Sequence, residues 1–91
     1  MMRNVLHRGV LSTNGEISHI ELRKDKGFNN VPLYHLYDVY TVNCKAESIV
    51  RGFGGYDNLD EAISAYGRVL GIEISSDTRE YIKEKDQHIK L

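Results

Sequence analysis

The stretch Val5–Arg23 reads VLHRGVLSTNGEISHIELR, and its centre, Asn14-Gly15, decides the fold. A type I′ turn needs positive φ at both central residues, which Asn and Gly tolerate best. With two residues in the turn, Thr13 pairs with Glu16, and each further pair steps outward by one residue on both strands. That register sets Leu11 opposite Ser18, Gly9 opposite Ile20 and Arg8 opposite Glu21. The opposite-charge pair supports it, because facing charges of unlike sign stabilise an antiparallel pair. One face then collects Val5, His7, Leu11, Ile20 and Leu22, the expected core side. The other carries Leu6, Arg8, Val10, Ile17, His19, Glu21 and Arg23.

Beyond the hairpin, Lys24-Asp25-Lys26-Gly27-Phe28-Asn29-Asn30 is polar and turn-rich, and reads as a loop. Pro32 favours extended geometry at Val31 and marks entry to a third strand. Leu33–Val42 is rich in Tyr, Val and Thr, residues that suit a pleated surface, and is apolar on both faces like a central strand. After a loop at Asn43-Cys44-Lys45, Glu47–Phe53 reads as a fourth strand. A hairpin with Val42 opposite Glu47 places Tyr40 opposite Ile49 and Asp38 opposite Arg51. The run Gly52-Phe53-Gly54-Gly55 is expected to end the sheet.

Helical punctuation follows. Asp57 or Asn58 can cap a helix, and Asn58 with Glu61 has capping-box spacing. Leu59, Ala62, Ile63, Tyr66, Val69 and Leu70 form one apolar stripe, and Gly71 stands where a left-handed terminal residue belongs. Ile72-Glu73-Ile74 reads as a short extended segment. A second helix starts at Ser75, Ser76 or Asp77 and runs to about Lys85, anchored by Tyr81, Ile82 and Ile89. The expected fold is α+β: a four-stranded, mainly antiparallel sheet in the order β-β-β-β-α-(β)-α. The 58–70 helix packs on one face and a short C-terminal helix at an edge.

At 91 residues the chain is read as a single domain, 1–91, small enough for self-association through a sheet edge to help it. The lone Cys44 excludes an intramolecular disulfide and a cysteine metal cluster. Charge follows Met1-Met2-Arg3-Asn4 within a few residues and no apolar run succeeds it, which is read as a cytoplasmic protein without membrane contact. The net charge of −1 is mildly polarised: residues 1–45 hold six bases and four acids, residues 46–91 six bases and nine acids.

The candidate chemistry is thin. A Gly-rich turn before a helix can cradle a phosphate. However, Gly52–Gly55 lacks the P-loop lysine, and Asp57, Asp60 and Glu61 repel an anion from the helix start. Strand alternation splits His35 from Asp38, so these two cannot work as a general acid–base pair. His7, His19, His35 and His88 show no metal-ligand spacing, and His7 and His19 fall on opposite faces of the hairpin. Cys44, beside Lys45, has no histidine near it in sequence. No catalytic residue, metal ligand or cofactor is assigned.

Elimination leaves a small non-enzymatic protein-binding or regulatory module, of the kind that includes inhibitors of host or viral proteins. Its expected contact surface combines Tyr34 and Tyr40 with the corner Gly54, Gly55, Tyr56, Asp57, Asp60 and Glu61, since tyrosines offer area with few rotors. Those acids suit a protein partner with a basic surface. The alternative is an RNA-binding module using the sheet with Arg23, Lys24, Lys26 and Phe28, which the acidic helix start disfavours. A second alternative is a small enzyme or ligand-binding domain with a site near Gly52–Gly55.

Overall fold

The computed structural model describes residues 4–13, 16–42 and 46–90. Four strands, β1 (Val5–Thr13), β2 (Glu16–Lys26), β3 (Pro32–Val42) and β4 (Ala46–Tyr56), precede two helices, α1 (Leu59–Leu70) and α2 (Ser76–His88). The strands form one antiparallel sheet in the order β1-β2-β3-β4, the expected α+β architecture. Among the described residues, no helix is long and apolar enough to cross a membrane.

From Thr13↔Glu16 outward to His7↔Leu22, β1 and β2 pair in the register that a two-residue turn dictates, with Arg8 opposite Glu21. The Asn14–Gly15 turn itself lies outside the described residues, as does the Asn43–Lys45 loop with Cys44. The register then shifts between Val5 and His7, where Val5 faces Arg23 and Leu6 is the extra residue. This β-bulge corrects the sequence-based assignment of faces. Leu6 joins the core cluster with Ile20, Leu22 and Leu36, while Val5, buried as it is, stands outside that cluster. Adding one residue to a strand reverses which face the preceding side chains take.

A second bulge corrects the β3–β4 register. Asp38 does face Arg51, but Val39 faces Ile49, Tyr40 faces Ser48 and Val42 faces Ala46, because Val50 is the extra residue. β4 also continues through the glycines instead of stopping at them, so that Tyr56 pairs with Tyr34. Gly54 adopts φ 77° beside a further shift between Tyr34 and Leu36, a conformation that glycine takes without a steric penalty. At the β2–β3 connection, β2 extends to Lys26, farther than the loop expected from Lys24 onward. Asn29 and Asn30 turn the chain at φ 58° and 63°.

Both helices cover the face formed by Leu6, Ile20, Leu22, Tyr34 and Leu36. α1 opens on Asn58, whose side chain accepts from the Glu61 N–H, and closes on Gly71 at φ 71°. Its stripe buries Ala62, Ile63 and Tyr66, with Leu59, Val69 and Leu70 packed at the margin. Each large side chain so buried contributes about 1.5–3 kcal/mol relative to exposure. α2 begins at the Ser75 cap and buries Ile82, while Ile89 packs beside it. Tyr81, expected as an anchor, is instead exposed. Ile72-Glu73-Ile74 joins no strand; Ile74 packs against the core from the connection between the helices.

Lys24 shows how the layers are tied. Alternation turns it toward the helices, where its ammonium donates to the carbonyls of Asp86 and Ile89 at 2.9 and 3.0 Å. These are carbonyls at the end of α2, where a cation also complements the helix dipole. Tyr34 meets the same place, its hydroxyl donating to Asp86 Oδ1 at 2.9 Å.

Candidate functional site

Opposite the helices, β1, β2 and β3 display Arg8, Glu21, Arg23, Asp25, His35, Tyr37 and Val39 on the other face of the sheet. The cross-strand pairs Arg8↔Glu21, Glu21↔Tyr37 and Arg23↔His35 align them. Glu21 is fully buried at the centre although, among the described residues, the helices pack on the other face of the sheet. Its Oε2 accepts from Arg8 Nε and its Oε1 from Arg23 Nε, both at 2.8 Å. The two guanidiniums therefore form the lid that removes the carboxylate from water, and such charge-assisted forks hold side chains in fixed positions. Arg23 in turn lies over the Tyr37 ring, 4.6 Å from its centroid.

Asp25 organises the next group. Its Oδ2 accepts from the Tyr37 hydroxyl at 2.7 Å and contacts His35 Nδ1 at 2.9 Å, and its Oδ1 accepts from Asn4 Nδ2 at 2.8 Å. Burial pushes the Tyr37 phenol up to about 12, with the hydrogen bond to Asp25 and its charge adding to the effect. A carboxylate at Nδ1 favours the proton there and turns His35 Nε2 outward, toward Gly55 of β4. That is the orienting half of a general-base dyad. The larger grooves, however, lie on the helix side: about 770 Å³ between Gly67, Arg68 and Arg79, about 470 Å³ between Tyr56, Asp60 and Arg68, and about 300 Å³ beside β1. None of these is lined by His35 or Asp25. Among the described residues, no three His, Cys, Asp or Glu side chains group to hold a metal.

His35 does gain a carboxylate partner, but it is Asp25 on the neighbouring strand; Asp38 faces Ile20 across the sheet, on the helix side. This pairing depends on β2 running through Asp25, a segment read from sequence as loop. The β2–β3 register was the missing signal.

The expected contact surface is brought together in part: Tyr56, Asp60 and Glu61 line one groove of about 470 Å³ with Ser64 and Arg68. Tyr34 is 7% exposed and belongs to the core, so it is withdrawn from any contact surface. The backbone of Tyr40 lies in β3, but its side chain falls outside the described residues. Gly54, Gly55, Asp57, Asp60 and Glu61 are exposed and Tyr56 is half-buried. Asp60 is already met by Lys83 and Arg79, each at 3.1 Å, and Lys83 above all holds its carboxyl below the usual value. Gly55 adjoins the network on the uncovered face, where a Cβ would lie 3.5 Å from His35 Nε2. The basic set divides likewise: Arg23 stacks on Tyr37, Lys24 turns to the helices, and Lys26 and Phe28 remain exposed.

Comparison of the chain with protein-family models, with curated proteins and with solved structures finds no match.

Proposed function

We propose that this chain is a small non-enzymatic protein-binding module, regulatory in role, that presents the uncovered sheet face to a protein partner. The observation that carries the reading is the Arg8–Glu21–Arg23–Tyr37 array, fixed by its own hydrogen bonds on a face that no helix covers. Arg and Tyr dominate the binding energy of many protein interfaces, and a side chain already held in place loses little entropy on docking. Ile17, 59% exposed on the same face, adds apolar area at its outer end.

Charge favours a protein over nucleic acid as the partner. Among the described residues, Arg8 and Arg23 on this face are matched in number by Glu21 and Asp25, which disfavours the excess of cations that phosphate neutralisation uses.

The test is photo-crosslinking in cells from a benzophenone side chain placed at Ile17, with the same group at Gln87 on the helix side as control. A discrete protein adduct is expected from position 17 alone, and Tyr37→Ala should reduce it. Equal adducts from both positions, or an adduct indifferent to Tyr37→Ala, would overturn the reading. Salt-sensitive transfer to RNA would establish the nucleic-acid alternative.

A further inference from the structure

We infer that α2 is a strap that undocks from the sheet as one unit while the strands and α1 stay folded, and that in its closed position it masks Lys24 and Tyr34. The apolar hold on this helix is small. Among the described residues of α2, Ile82 alone is buried, whereas α1 buries Ala62, Ile63, Ala65, Tyr66 and Gly67. Just past the helix end, Ile89 packs at the margin of the core. Tyr81 rests edge-on against His7, with ring centroids 6.4 Å apart, and is 55% exposed.

The other attachments are polar. Lys24 Nζ donates to the carbonyls of Asp86 and Ile89 and stands 3.2 Å from Asp86 Oδ1, the oxygen that also accepts from the Tyr34 hydroxyl. Toward α1, Arg79 and Lys83 meet the exposed Asp60. Each of these groups finds water when α2 lifts, so opening costs only the difference between a protein and a solvent hydrogen bond. Exposed ion pairs hold less still. Apolar contacts have no such replacement in water, and α2 makes few of them. It therefore belongs to the low-stability end of the fold, among the segments that open before the whole.

The pivot is built into the chain. Ile74 packs against the core beside Gly67 and holds the connection in place up to that point. Ser75 follows, exposed and extended at φ −65° and ψ 157°, and rotation there carries α2 away in one piece. Opening withdraws Ile82 from the core cluster and frees the Lys24 ammonium and the Tyr34 hydroxyl. These are side chains that the sequence suggests for contact and that the closed fold turns toward α2. The position of the helix thus decides whether either can meet anything else. The device lies on the helix side of the sheet and does not depend on the Arg–Tyr array of the uncovered face.

Native-state hydrogen exchange tests this on the full chain, read by NMR at low urea. The amides from Ile82 to His88 should share one protection factor, about a hundredfold or more below that of Leu36 in β3. Tyr37→Phe, on the uncovered face, should lower protection at Leu36 and leave the α2 amides unchanged, because it weakens the sheet equally with α2 docked or undocked. Lys24→Met should lower protection of the α2 amides about tenfold, the size expected for loss of a hydrogen bond to a charged group. Tyr34→Phe breaks the same latch more mildly and serves if Lys24→Met fails to fold. Equal protection at Ile82 and Leu36, or protection that fades residue by residue inward from His88, would overturn the inference. So would α2 amides that fall together with Leu36 in Tyr37→Phe, or that ignore both latch variants.

Discussion

Leu70, the last residue of α1, is seated against the bare backbone of Gly9 in β1, so closely that a Cβ on Gly9 would stand 2.5 Å from Leu70 Cδ1. The same Cβ would lie 2.8 Å from the Tyr66 hydroxyl, which shares a 2.7 Å hydrogen bond with His7 and is not free to withdraw. Helix and strand approach here because β1 offers no side chain. Gly9→Ala should therefore destabilise the fold by about 1–3 kcal/mol, the usual cost of overpacking. Urea unfolding measures it, and an unchanged midpoint would contradict the contact.

Glu21 holds two guanidiniums while fully buried. Glu21→Gln keeps the shape and removes the charge that both arginines are placed to meet. The expected loss is about 3 kcal/mol, the low end for breaking a buried pair, since both arginines can turn toward water. Replacing all three residues with apolar ones should cost less than this single change, because no uncompensated charge is left. Chemical denaturation of both variants distinguishes the outcomes.

His7 titrates below its ordinary value of 6.5, because burial disfavours its charged form and the nearby Lys85 adds repulsion. Above 6.5 the ring is neutral in the folded and unfolded chains and contributes no slope. As pH falls below 6.5, the unfolded chain takes up the proton first, so stability declines until the lowered folded value is passed. His7→Gln should flatten that part of the stability–pH curve.

Alkaline pH acts through the tyrosines with the opposite sign. Tyr37 is raised to about 12, and burial raises Tyr34 and Tyr66 further still. Stability from these groups is complete below pH 10 and is lost as pH climbs through the folded values, because the unfolded chain ionises first. Tyr37→Phe should reduce the slope above pH 10, and phenolate absorbance should show a delayed fraction that disappears on unfolding.

The sequence by itself determined what depends on near neighbours. The hairpin register from His7 to Thr13 follows from a two-residue turn, and both ends of α1 follow from Asn58, Glu61 and Gly71, because turns and caps are satisfied within a few residues. Tertiary structure decided what depends on elements brought from elsewhere. Leu6 enters the core only because a bulge reverses the strand's faces. Tyr34 is spent on Asp86 of α2, and His35 finds Asp25 only once β2 and β3 are in register. Alternation tells which side chains share a face of one strand. Which face the helices cover, and which side chains meet across strands, is settled by long-range packing that no local pattern records.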